Sequence, residues 1–451
     1  MSGGMSGAMN GAMSGGAALT WREKLSYALG NFGINLPFGM TNAYLLYFYT
    51  DIYGVSAGTV ASLFLIARCV DAVFDPMMGL LIDRTDTRWG KHRPFLLWLA
   101  VPFAVCGAIV FWAPPLDGWQ KIAFIFASYT LMGILYSAVS LPLNSMLPTL
   151  TRDPRQRNTV NALREVIGSS ATVGIGYAAL PLIKAFSNGD EAHGFIVLAA
   201  ICGVITLVCM LNAFANTRER VEVDASVARL TTAQSLKATK GNLPWIATML
   251  VNFFFWIGFT GHIQSFVYFA GQVLGDAAFT STLMLTMLAV LIGTALAGVC
   301  ANAIGKRMTG AIGAGVATLF TALMPLSNDH TWLVVANVVA YMGQGLIGGL
   351  LFSLMADAVD YGAWRSGYRA QGFLFAASSF GVKLGMSVGG AAGAWFLSLA
   401  AYDAKAAATP GVITAVIAGH VWLPAASYVA MGLSLLLFRF APAYNARQIE
   451  S

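Results

Sequence analysis

In the stretch "RCVDAVFDPMMGLLIDRT" (68–85), two carboxylates stand four residues apart, Asp71 and Asp75, and Arg68 precedes the first by three. Residues at i and i+4 share a helix face, so both acids project the same way with Arg68 a turn above Asp71. Pro76 cannot donate to the carbonyl of Ala72, which leaves one more oxygen beside the acids. Carboxylate and carbonyl oxygens suit a hard cation such as Na⁺ or Li⁺, or a proton. The competing reading is a plain buried ion pair between Arg68 and Asp71. One arginine cannot neutralise two aspartates, and an uncompensated acid within a membrane costs at least ~2.5 kcal/mol. Titration or ion binding therefore explains the pair better than packing does. Two further cations lie in apolar surroundings, Arg164 in "NALREVIGSS" and Lys383 in "FGVKLGMSVGG". Lys383 is too far inside its segment to reach water along the helix, which assigns it an interior role. Arg164, nearer a segment end, can also be read as snorkelling to the interface.

The elements that hold these groups follow from composition. Of 451 residues, 57% are hydrophobic and only 10% charged, and mean hydropathy is +0.68. Soluble domains carry roughly a quarter charged residues, so this is an integral membrane protein. A bilayer core of about 30 Å needs about 20 apolar residues per helix. Runs of that length predict spans at 25–50, 57–82, 95–114, 120–147, 159–183, 194–216, 245–271, 279–303, 309–327, 331–356, 370–400 and 412–440. The formal charge of +6 is a topology signal and not a nucleic-acid footprint: 20 of the 26 Lys and Arg fall on the side holding both termini. Lys121, Lys184 and Lys405 lie on the other side, and Arg68, Arg164 and Lys383 lie within spans. The positive-inside rule puts both termini in the cytoplasm.

The five cysteines fall in spans without metal-site or disulfide spacing and read as small packing residues. The opening "MSGGMSGAMNGAMSGG" reads as a disordered tail. The longest polar connection, 217–244, divides the chain into a tail at 1–20, a six-helix bundle at 21–216, a second bundle at 245–440 and a tail at 441–451. Two such bundles related by an axis along the membrane normal hold a ligand at the midplane between them. Forty-eight glycines, many within spans, permit close helix approach.

The segments "DAVFDPMMGLLIDRTDTRWGKHRP" and "ADAVDYGAWRSGYRAQGFLFAASSFGVKLG" (356–385), with "LSYALGNFG" and "YLLYFYTDIYG", resemble the glycoside-pentoside-hexuronide:cation symporters of the major facilitator superfamily. The resemblance covers nearly the whole chain. It implies an all-α membrane protein of twelve transmembrane helices, in two pseudo-symmetric six-helix bundles, that takes up a sugar or glycoside with Na⁺, H⁺ or Li⁺ by alternating access. By the same resemblance Asp71, Asp75 and Ser137 bind the cation, with Arg68 balancing charge. Arg164 and Lys383 lie at the sugar site or between it and the cation. Where the family's melibiose carriers have two aspartates and a tryptophan against sugar, this chain has Asn35, Ser140 and Asn144. With two acids lost and two cations kept, the pocket is expected to be more positive and to tolerate an acidic glycoside such as a uronide; loss of the acids equally fits a neutral pentoside or a non-sugar cargo. Tyr44, Tyr47, Tyr136 and Trp256 are candidates for stacking on a sugar ring.

The charged loops are expected to form a cytoplasmic gate, with Asp83, Arg84, Arg88 and Lys91 facing Asp357, Asp360, Arg365 and Arg369. An amphipathic cargo such as a lysolipid is the alternative, followed by a non-transporting sensor. The five histidines are scattered, so no nucleophile, base and orienter constellation marks an enzyme. No cofactor beyond the cation is expected, nor any nucleic-acid partner. The expected setting is a monomer in a bilayer, the bacterial inner membrane, and the position of Glu165 relative to the cavity is left open.

Overall fold

The computed structural model describes residues 19–151, 153–220, 234, 237, 239–368 and 370–441. The side chains of Arg68, Cys69, Ala72, Asp83, Pro154, Arg155, Gln371, Gly372 and Ala376 lie outside that description, as do Arg369, most of the two tails and most of the central connection. Every described element is helical.

Twelve spans run up and down. Span one is Trp21–Tyr47, two Ala57–Arg84, three Ala100–Ile109 after a short helix Arg93–Trp98, four Gly118–Leu150, five Pro154–Phe186 and six Glu191–Asn216. Span seven is Leu243–Tyr268, and span eight is broken into Phe279–Thr286 and Ala289–Ile304. Nine is Lys306–Leu323, ten His330–Gly348 continuing as Leu351–Ser366, eleven Gln371–Leu399, and twelve Pro410–Ile417 continuing as Leu423–Ser434. Span ten thus runs past its expected end at 356, because Asp357, Asp360 and Arg365 ride on a helical extension into water.

The starts obey local chemistry. Thr20 and Glu23 form a reciprocal capping box at span one. Ser56, Asp190, Asn242 and Asp329 each accept a backbone N–H at the first turn of their helices. Gly305 alone joins spans eight and nine, at φ +85°, a backbone angle that other residues rarely adopt.

Nine helices among the described residues are long and apolar enough to cross a membrane, and shorter apolar runs, Ala57–Ala67, Val73–Ile82 and Ala100–Ile109, fall in spans two and three. Span one falls short because Asn31, Asn35 and Asn42 dilute its apolar character. Its polarity is accommodated because it faces protein and not lipid: Asn31 and Asn35 approach span five, and Asn42 lines an internal cavity.

Packing shows the pseudo-symmetry directly. In the first half span one packs on five and six, three on six, and two on four. In the second, seven packs on eleven and twelve, nine on twelve, and eight on ten. Adding six to each number of the first set gives the second. Between the halves, span two meets eleven, five meets eight, and one meets seven, pairs that the same operation exchanges or preserves.

Glycines set how close helices come. A Cβ on Gly293 of span eight would lie 2.1 Å from the carbonyl oxygen of Met342 on span ten, and one on Gly345 would lie 2.2 Å from that of Val290. Backbone cannot yield as a side-chain tip does. We therefore expect Gly293→Ala to destabilise the protein by about 1–3 kcal/mol through overpacking. Gly79→Ala, with nothing within 4 Å of its added Cβ, should leave the midpoint unchanged or slightly raised. Thermal melts of the detergent-solubilised variants check both.

Candidate functional site

Span two delivers both aspartates to the protein interior. Asp71 is 2% exposed. Span four comes so near it that a Cβ on Gly133 would sit 2.6 Å from Asp71 Oδ1. With Thr41, Asn42, Tyr129 and Tyr136, Asp71 lines a cleft of about 20 Å³. One turn on, Asp75 Oδ2 forms an ion pair with Lys383 Nζ of span eleven, and the same ammonium donates to Ser137 Oγ of span four at 2.9 Å. Asp75 Oδ1 is buried and has no hydrogen-bond donor among the described residues. One ammonium therefore joins spans two, four and eleven across the boundary between the halves.

A larger cavity, about 240 Å³, lies between spans one and five on one side and seven, eight and eleven on the other. Asn35 lines it, as expected from the sequence. Ser140 and Asn144, expected at the sugar site, and Arg164 and Lys383, expected there or between it and the cation, are not among its lining residues. Lys383 points instead at Asp75 and Ser137, one turn from Met386, which does reach the cavity. Arg164, with 12% of its side chain exposed, is held by two neighbours. Its Nη1 donates to Asn144 Oδ1 at 2.6 Å, and its Nη2 pairs with Glu165 Oε1. The cavity is thus not made positive by these cations, and the sequence expectation of a basic pocket fails because each already has a partner.

Glu165, which the sequence could not place, lines the cavity. Its neighbour Gly168 is needed for the fit: a Cβ there would lie 2.1 Å from Asn31 Nδ2. Of the four aromatic candidates only Trp256 is a lining residue. Tyr44 is fully buried and bonds the Gly176 carbonyl; Tyr47 packs on Phe195 and Tyr268; Tyr136 stacks on Phe38 at 4.3 Å between ring centroids. Phe38 and Asn42 line both the cavity and the Asp71 cleft, so the two share a wall.

The ends of the two halves furthest from the basic loops are tied together. Tyr402 donates to Asp51 Oδ1 at 2.6 Å, while Thr50 Oγ1 lies 2.6 Å from Asp51 Oδ2 and 2.7 Å from Tyr268 Oη. The sequence reading missed this cluster; a carboxylate ending span one in "YTDIYG" and a tyrosine just past span eleven were its only signals.

The expected gate residues divide between two clusters. Backbone N–H groups of Lys91, His92 and Arg93 donate to Glu219, and Arg88 lies over Trp89. Asp357 is held by Lys306 at 2.7 Å, and Arg365 donates to the Gly241 carbonyl. Arg84 and Asp360 are exposed. Each named bond stays within one half, in contrast to the tied opposite end. Along span five, Asn158, Asn161, Ala162 and Glu165 form an exposed stripe at helical spacing on the side toward the basic loops. The Arg68 and Asp83 side chains and Arg369 fall outside the described residues.

Residues 26–441 match the family model described as MFS/sugar transport protein. The chain is 37% identical to the isoprimeverose transporter of Lactiplantibacillus pentosus over 93% of its length and 88% of that protein. It is 30% identical to a putative glycoside/cation symporter of Escherichia coli strain K12, over 94% of this chain and 93% of the relative. A glucuronide carrier protein homolog of the same organism is 32% identical, over 88% and 87%. Among solved structures, a D-xylose-proton symporter superposes with a TM-score of 0.64 at 14% identity, covering 93% of this chain and 98% of that one. That likeness shows the fold.

The ammonium bridge yields a cycle of variants. Lys383→Met leaves the Asp75 carboxylate buried opposite a hydroxyl and should lower stability by about 3 kcal/mol. Adding Asp75→Asn should recover most of the loss, because both charges are then gone. Thermal melts of the four proteins measure the coupling; a value under ~0.5 kcal/mol would show that the two groups are not joined.

Proposed function

The chain belongs to the MFS/sugar transport protein family, and from that membership we propose that it carries a glycoside inward together with one cation, by alternating access of its two halves. The residues 21–216 and 245–440 are the rocking units, and the segment 217–244 is their cytoplasmic link. The relatives named as transporting or coupling sugars and glycosides support the cargo class. The bacterial sources of those relatives support the inner (cytoplasmic) membrane as the setting; the sidedness of Lys and Arg supports both termini in the cytoplasm, and the monomer is the working unit of this reading.

The observation that carries the reading is the position of the Lys383 ammonium. It occupies a niche of one carboxylate and one hydroxyl that is suited to a monovalent cation. Asp71, Asp75 and Ser137 are then the ligands of Na⁺, Li⁺ or H⁺, and Lys383 is the internal cation that holds the niche when the coupling ion has left. Exchange of one positive charge for another keeps Asp75 neutralised through the cycle, which avoids the penalty of a bare carboxylate in a low-dielectric interior.

Coupling to the cargo runs through the wall that both clefts share. A sugar bound against Phe38 and Asn42 fixes the shape of the Asp71 cleft, so it tightens the cation. Linkage then requires that the cation tighten the sugar by the same factor. In the state described, the bonds of Asp51 with Tyr402 and of Thr50 with Tyr268 hold the far end shut. In the opposite state the loops bearing Arg84, Arg88 and Lys91 close on those bearing Asp357, Asp360 and Arg365.

Uptake into proteoliposomes tests this, with a panel of radiolabelled glycosides under an imposed Na⁺, Li⁺ or pH gradient. Accumulation above the external concentration is expected for at least one ion. Asp75→Asn should abolish that accumulation while leaving exchange of sugar down its own gradient. Normal gradient-driven accumulation by both Asp71→Asn and Asp75→Asn would overturn the cation site.

A further inference from the structure

Glu165 is the one charged side chain among the described residues that line the large cavity. Its side chain is 56% exposed, and one of its oxygens, Oε1, is engaged by Arg164. Oε2 has no hydrogen-bond partner among the described residues. The guanidinium pairs with the carboxylate without itself lining the cavity.

The polar groups beside it are uncharged amides. Asn31 donates its amide to the Arg164 carbonyl at 3.1 Å, Asn35 to the Asn31 carbonyl at 2.8 Å, and Asn42 to the Phe38 carbonyl at 3.0 Å. In each case one of the two amide N–H groups is committed to main chain, and the amide oxygen and the second N–H remain. The three amides can therefore meet hydroxyls as donors or acceptors, and the carboxylate is the group on this side that only accepts. Across the cavity, Trp256 offers an aromatic face suited to the C–H surface of a ring.

We infer that Glu165 is the specificity-determining residue of this cavity, accepting hydroxyl protons from a neutral glycoside and excluding glycosides that carry a carboxylate. The inference deepens the proposed transport reading and rests on it. A hydroxyl donating to an ionised carboxylate is stronger than a bond between neutral partners. A uronate brings a second anion to a wall that already holds one, with no uncommitted cation among the lining residues to receive it.

A matched pair isolates the effect: methyl β-D-glucoside and methyl β-D-glucuronide differ at C6 alone, as CH₂OH against carboxylate. The pair is run with a wider panel of neutral pentosides and disaccharides and their acidic counterparts. Binding to the full-length protein is measured by calorimetry, and uptake in proteoliposomes. Wild type should bind neutral members at least ten-fold more tightly than acidic ones. Glu165→Gln should weaken neutral glycosides by about 10–100-fold, the range of a charge-assisted hydrogen bond, and narrow the discrimination. Glu165→Asp should keep the discrimination.

Wild type binding an acidic member as tightly as its neutral counterpart would overturn the inference without any variant. So would Glu165→Gln that elutes as a single species, melts like wild type, and binds both classes unchanged. Uptake of no glycoside of either class by wild type would instead sink the transport reading, which separates the two failures.

Discussion

A carboxylate inside a membrane protein must be neutralised, and the arrangement around Asp75 follows from that constraint. No mobile ion is needed to meet it in the described state, because Lys383 of span eleven reaches across to Asp75 on span two and Ser137 on span four. Charge neutrality thereby becomes a contact between the halves of the protein. On the transport reading proposed above, such a bond can be made and broken in a cycle, whereas an apolar contact at the same place would hold the halves together regardless of ions.

The remaining architecture lets such a polar centre survive in a bilayer. Span one is too polar to pass as a membrane helix by composition, yet it is covered by spans five, six and seven. Bare glycines bring backbones close where the halves must be rigid, as at Gly293 and Gly345. Elsewhere Gly133 lets span four come up against Asp71, so the same residue type that stiffens the scaffold also shapes the cleft. Polar groups at the far end, Thr50, Asp51, Tyr268 and Tyr402, satisfy one another across the boundary between halves. Bonds of this kind can be exchanged for water when that end opens, at small net cost.

The two clefts are separate but adjacent. Phe38 and Asn42 belong to both, and Met386 of the larger cavity is one turn from Lys383 of the ion niche. Transport coupling on the reading proposed above needs no long pathway through the protein, because a cargo and an ion press on opposite faces of the same side chains.

Much of this was legible in the chain. Spacing of Asp71 and Asp75 on one helical face, the deep position of Lys383, twelve apolar runs and the sidedness of Lys and Arg all follow from the periodicity of a helix and the thickness of a bilayer, which act locally. Which partner each buried charge takes did not follow. Lys383 and Arg164 were expected at the sugar site or between it and the cation; Lys383 is found against Asp75 and Ser137, Arg164 is held by Asn144 and Glu165, and Glu165, which had no assigned place, lines the cavity. Arg164 and Glu165 are consecutive, so helical geometry separates them by about 100° and says only that they leave the helix in different directions. Which of those directions meets a neighbouring helix and which meets open space is decided by packing among spans one, four and five. The sequence by itself therefore determined the membrane architecture and the placing of Asp71 and Asp75 on one face of a buried helix, whereas the tertiary structure alone decided which partner each charge takes and which charge lines the cavity.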